Sequence, residues 1–374
     1  MNKTADRRQA NIELLRILAM VAIVLMHMVN HGALLDFSPS GKADYYLGWF
    51  LFSPGIHSID IFLLISGYFL IEQKFSTWKI FRFATQVLFY ALGITLLFWI
   101  FADIDKETKY MIYSIFPLAS DFYWYPSMYV GMLLLSPILN KLIKSLTQNQ
   151  LKCLCALCFV LVSAWPNIFF YSSTLNTAGG VSISWFLCVY IFGAYIRLYY
   201  KPDGKWVSKL ILSIALMTAL PLSRFFIEWL IKTPVGKLRM LEDLLWGYSV
   251  FYNYSSILVT ITSILLFITF LNIKIESPTV SRWINIFAGA SFGVYLIHDH
   301  AYIRENMWTF LKVYSWKGHW YMVPMAVIVT LLLYLAGSLI ELLRKKLFLV
   351  WERSDKLKGF FIRIDDRMSR IWHS

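Results

Sequence analysis

Apolar residues along this chain gather in repeated blocks of about 20, the length an α-helix needs to cross the hydrocarbon of a bilayer. Ten blocks can be placed, at 12–30, 46–70, 79–102, 124–143, 151–171, 181–200, 207–231, 246–272, 283–300 and 321–345. The pattern predicts an all-α, polytopic bundle of about ten transmembrane helices. Residues 1–350 read as one membrane domain, and 351–374 as a short basic cytoplasmic tail that lies along the membrane surface. No internal repeat is visible in the motifs, which argues against transporter folds built from duplicated halves.

The polar residues between blocks orient the bundle. Lys3, Arg7 and Arg8 precede the first block, and Lys74, Lys79 and Arg82 fall between the second and third. Lys141, Lys144 and Lys152 join four to five, Arg197, Lys201, Lys205 and Lys209 join six to seven, and Arg344, Lys345 and Lys346 open the tail. With ten spans all of these share one side, and the positive-inside rule makes that side cytoplasmic, with both termini there. The opposite loops are mixed: Asp103, Asp105 and Glu107 with Lys106 and Lys109, and Lys232, Lys237 and Arg239 with Glu242 and Asp243. The first block carries no small-residue cleavage pattern after it, so it is expected to stay as an uncleaved span.

Composition agrees. Of 374 residues 58% are hydrophobic and 15% charged, where a soluble chain has about a quarter charged. Mean hydropathy is +0.59. The net charge of +13 fits basic loops held against anionic lipid, and no nucleic-acid partner is expected. Cys153, Cys155 and Cys158 cluster without a His or carboxylate at ligand spacing, so no metal is expected. Tyr45, Tyr46, Trp49, Trp78 and Trp283 sit near span ends, as an interfacial belt does.

Polar residues at membrane depth are costly and therefore informative. The first span, NIELLRILAMVAIVLMHMVNH, holds Arg16 and His27 eleven positions apart. That is close to three whole turns, so both point to one face roughly 16 Å apart along the axis. His27 suits proton transfer or nucleophilic attack, and also interhelical packing. Arg16 offers a planar fork for phosphate or a carbonyl oxygen; it also sits where it can snorkel or pair with Glu13. Asp60 in the second span suits orienting a histidine, or is a hydrated outer carboxylate. Ser66 and Gly67 allow close backbone approach, to a ligand or to another helix. Lys79 and Arg82 suit a cytosolic phosphate ligand or lipid headgroups equally. His57, His31 and His298 complete the set.

The Arg16–His27 spacing, IDIFLLISGYFL, the basic pair in KIFR, WYPSMYVGMLLLSPILNKLI, SWFLCVYIFGAYIR and SFGVYLIH stand in an order that resembles acyltransferase family 3, the integral membrane acyltransferases. The closest likeness is to stand-alone members that O-acetylate bacterial surface polysaccharides. The resemblance makes His27 and Arg16 the essential pair and matches Asp60 to the aspartate before the SGF-like segment, here Ser66, Gly67 and Tyr68. It implies acetyl-CoA as donor, its phosphates near Lys79 and Arg82 at the cytoplasmic mouth, and a glycan or lipid-linked glycan as acceptor. It places the protein in the bacterial plasma membrane among membrane lipids, with a homodimer left open. Two departures stand out. The first of two arginines opening span three is Lys79 here, and no fused extracellular hydrolase-like domain is read. Transfer is then expected to finish in the membrane domain or on a partner. Direct transfer and an acyl-histidine relay both fit. So do a transporter or flippase for a lipid-linked sugar, and an acyltransferase with a non-glycan acceptor.

Overall fold

The computed structural model describes residues 9–36, 41–103, 106–120, 122–169, 175, 177–234 and 251–373. Lys3, Arg7, Arg8, Asp105, Lys237, Arg239, Glu242, Asp243, residues 170–171 of the expected fifth span and 246–250 of the eighth lie outside them. Every regular element among the described residues is a helix. In chain order they are α1 (Ala10–His31), α2 (Ala43–Leu70), α3 (Thr77–Phe101), α4 (Thr108–Ile115), α5 (Trp124–Ser145) and α6 (Gln148–Ile168). Then come α7 (Ile183–Tyr199), α8 (Trp206–Ile231), α9 (Ile257–Leu271), α10 (Pro278–Ala288) and α11 (Ser291–His298). The last are α12 (Ala301–Phe310), α13 (Met322–Glu352) and α14 (Asp355–His373).

Each of the ten expected spans contains a helix. Eight segments among the described residues are long and apolar enough to cross a membrane, α10 and α11 together counting as one. The other two, α7 and α9, have 17 and 15 residues. Their ends have local causes. The Ser182 and Ser256 hydroxyls cap the first turns of α7 and α9, accepting from the Trp185 and Val259 N–H groups. Pro202 stands three residues beyond the last of α7, where a helix cannot continue. Just past α9, the Asn272 side-chain oxygen accepts from the Asp203 and Gly204 N–H groups at 2.7 and 2.8 Å, tying the two helix ends together.

α1 lies at the centre, packed against α2, α9, α10, α11, α12 and α13. Its apolar residues Ile12, Leu15, Ala19, Met20, Ile23 and Val24 belong to the main core. Small residues set the spacing. A Cβ at Gly55 of α2 would lie 2.3 Å from the Met26 Cβ of α1. Gly67 of α2 and Gly193 of α7 face each other's helices reciprocally: their added Cβ atoms would lie 2.1 Å from the Tyr190 carbonyl oxygen and 2.4 Å from that of Leu64. Lipid tails are as apolar as leucine, so membrane helices associate through close packing of this kind.

The segment after residue 351 is helical and docked. On α14, Asp365 accepts from the Thr77 N–H at 2.8 Å and the Thr77 hydroxyl at 2.6 Å. It thereby caps α3, whose own N-cap Ser76 makes no side-chain bond. Phe361 packs on Trp78 and Phe81, while Phe360 and Ile362 stay exposed.

Gly67→Ala and Gly193→Ala are each expected to lower stability by about 1–3 kcal/mol through overpacking at a backbone contact. A Cβ at Gly93 would meet nothing within 4 Å, so Gly93→Ala is the control. Thermal melting in detergent checks this; equal melting of all three variants would refute the crossing.

Candidate active site

A cavity of about 290 Å³ opens between α1, α2, α3, α5 and the α10–α11 segment. α1 contributes Arg16, Met20 and Ile23, spaced four and three residues apart as one helical face requires. Facing them is an aromatic wall: Phe83 stacks on Phe292 at 4.6 Å between ring centroids, and Tyr125 on Tyr129 at 5.8 Å. Ser66 and Gln86 add polar groups. Apolar walls with a few placed polar groups are the usual make-up of a small-molecule site.

His27 stands one turn beyond Ile23 on the same face of α1 and is not among the cavity's lining residues. Its Nδ1 lies 3.1 Å from His298 Nε2 and 3.4 Å from Asp299 Oδ1. His298 Nδ1 lies 2.7 Å from the Val294 carbonyl oxygen, one turn back on α11. A carbonyl oxygen only accepts, so His298 Nδ1 carries its hydrogen there. Neutral His298 then presents Nε2 as an acceptor, and His27 Nδ1–H donates to it with Asp299 alongside. The His27 Nε2 lone pair is left for other work. Arg304 of α12 donates to the same Asp299 oxygen at 3.4 Å, and the His31 ring lies 5.7 Å from that of His27. His298 and Asp299 are buried, while the His27 side chain keeps 17% of its surface exposed. Buried partners thus hold a partly open imidazole, as in a catalytic triad.

At the other end of the cavity Arg16 donates to Glu13 at 3.1 Å, the pairing its spacing allows, while still lining the cavity. Close by, Gln86 donates to Glu341, which is fully buried. Glu341 also accepts from the Tyr90 hydroxyl at 2.7 Å and from two nitrogens of Arg344 at 2.8 Å each. Lys345 reaches the carbonyl oxygen of Gly289, a cavity residue.

The remaining expected site residues fall in several places. Asp60 corrects an expectation: no hydrogen bond joins it to His27. Its Oδ1 accepts from Trp185 Nε1 at 2.9 Å, and the carboxylate beside His27 is Asp299. Ser66 faces the cavity, donating to the Phe62 carbonyl oxygen at 2.8 Å with the Tyr129 hydroxyl at 3.4 Å. Gly67 sits at the α2–α7 crossing instead. Tyr68 turns toward Arg197, whose Nη1 donates to its hydroxyl at 3.3 Å. Lys79 and Arg82 are exposed on the first turns of α3; Lys79 donates to Gln73 and Arg82 pairs with Glu352. Neither lines the cavity, whereas Phe83 and Gln86 of the same helix do.

Sequence reasoning passed over Asp299, Arg304, Glu341 and Arg344. The signal for the last two was a Glu–Arg pair three apart at the end of an apolar span. Arg224 and Glu228 were passed over too: buried in α8, they pair at 3.1 Å, with Tyr45 donating to Glu228 and the guanidinium 3.7 Å above the Trp49 ring. Arg344→Ala is expected to cost about 3–5 kcal/mol, because it leaves the Glu341 charge buried without its main partner. Detergent melting curves measure this, and an unchanged midpoint would refute it.

Comparison with known proteins adds the family. A family model described as an acyltransferase domain matches residues 9–340. No curated protein and no solved structure matches the chain. The matched stretch runs from the start of α1 into α13 and holds both Arg16 and His27, together with the cavity that begins at Arg16. With most of its length inside that match, this protein belongs to acyltransferase family 3.

Proposed function

We propose that this protein moves an acetyl group from cytosolic acetyl-CoA to a hydroxyl of a cell-surface polysaccharide or of its lipid-linked precursor. One observation carries the reading: an imidazole with a free Nε2, held by His298 and Asp299, stands three turns from a cavity-lining arginine on one face of a central helix. A ten-span topology with both termini cytoplasmic, in a bacterial plasma membrane, puts Arg16 on the donor side and His27 toward the acceptor side. The basic loops between expected spans support that orientation.

The chemistry follows from the site. The thioester enters the cavity past Arg16, which faces the phosphate-bearing arm or the thioester carbonyl. His27 Nε2 takes the proton of the acceptor hydroxyl as its oxygen attacks the thioester carbon. The carbon–sulfur bond breaks, and the thiolate of CoA takes the proton back from His27. The products are the acetyl ester and free CoA. Asp299 stabilises the imidazolium formed in between, and His298 fixes the ring's orientation. In the relay form, Nε2 itself carries the acetyl group before the hydroxyl accepts it. Lys79 and Arg82 lie outside the cavity, so they serve the nucleotide's phosphates only at the cytoplasmic rim.

The test is transfer of label from radiolabelled acetyl-CoA in membranes that hold the protein, following protein, lipid-linked glycan and polymer. Wild type is expected to label a glycan fraction. His27→Ala should lose about 10²-fold or more of that rate while remaining inserted. Asp299→Asn should fall less, with the loss in kcat and not in KM for acetyl-CoA. Full transfer by His27→Ala would sink the mechanism. Substrate movement without consumption of acetyl-CoA would identify a transporter.

A further inference from the structure

His27 is not among the residues that line the donor cavity. On α1 the lining residues are Arg16, Met20 and Ile23, and the series stops there. His27 is the next position on that face, about 6 Å further along the axis. From α11, Tyr295 closes the same level. It lines the cavity on one side, and its ring lies 6.1 Å from that of His298, the residue bonded to His27. From α2, Ile59 is the lining residue nearest that end, one turn from Gly55, which packs on Met26 of α1. All three side chains are nearly fully buried, Ile23 at 2% exposure and Ile59 and Tyr295 at 5%. A thioester that enters past Arg16 therefore brings its acyl group up against these buried side chains on the way to His27.

We infer that Ile23, Ile59 and Tyr295 form an acyl sieve that limits the transferred group to two carbons. The inference rests on the acyltransferase reading and deepens it by naming the residues that set acyl length. A packed interior has almost no spare volume, so each methylene beyond acetyl must displace a buried side chain. One extra methylene against a fitted apolar wall is worth about 10–200-fold in discrimination. Toward the chain stand two branched aliphatic side chains and the ring of Tyr295, whose hydroxyl is buried. Ile23 is the decisive member, because it is the last cavity residue before His27 on the helix that carries both ends of the site. Shortening it opens space where the acyl chain would extend.

The experiment compares acetyl-, propionyl- and butyryl-CoA as donors in membranes holding wild type, Ile23→Ala or Ile23→Val. The readout is the ratio of transfer rates between donors within each protein, so a general loss of activity cancels. Wild type is expected to prefer acetyl over propionyl by about 10-fold or more. Ile23→Ala should bring that ratio down by at least about 10-fold and admit butyryl, with Ile23→Val between. Ile23→Val removes a single methyl group, so it keeps the test open should Ile23→Ala fail to fold. A ratio unchanged in both variants overturns the sieve, as does a wild type that transfers butyryl as readily as acetyl. Absence of transfer from every donor by inserted wild type overturns the sieve too, but through the acyltransferase reading on which it stands. That outcome is recognisably different from an unchanged ratio.

Discussion

A charged or hydrogen-bonding side chain buried among apolar helices must find a partner inside the protein, because the bilayer core supplies none. α1 carries two such residues on one face, and the rest of the bundle is arranged to answer them. Glu13 answers Arg16 from within the same helix. His298 and Asp299 answer His27 from the end of α11, after the chain has passed through most of its length. Packing brings them together: α1 touches α10, α11, α12 and α13, the C-terminal helices that carry these partners and the neighbouring Glu341.

The two ends of that face do different work. The Arg16 end opens on an apolar, aromatic-walled cavity with Ser66 and Gln86 as its polar contacts. The His27 end sits among Asp299, Arg304 and His31, a polar setting suited to proton traffic. Between them stand Ile23, Ile59 and Tyr295.

The start of α3 is held by contacts from far along the chain. Asp365 caps α3, Glu352 pairs with Arg82, and Trp351 and Phe361 pack on Trp78 and Phe81. α3 carries Phe83 and Gln86 into the cavity, so the C-terminal helix braces one wall of the site. The capping carboxylate of Asp365 is what ties this segment to the bundle.

The helical class, the placement of apolar segments and the shared face of Arg16 and His27 were legible in the sequence, because each depends on local periodicity within one segment. The Glu13–Arg16 pair was legible for the same reason. Asp60 shows where that reasoning ends. A carboxylate on the next helix looked suited to orient His27, yet α2 turns it toward Trp185, and the carboxylate beside His27 is Asp299. Gly67 and Ser66 are neighbours in sequence but face a helix crossing and the cavity respectively, since adjacent helical positions point about 100° apart. Lys79 and Arg82 kept their place on α3 but not at the cavity, for which Phe83 and Gln86 have the right turn. The sequence by itself determined the helical segments and which polar residues of one segment share a face. Which of them met was decided only by the tertiary packing of helices far apart in the chain, because pairing depends on rotation and depth, and neither is encoded within a single span.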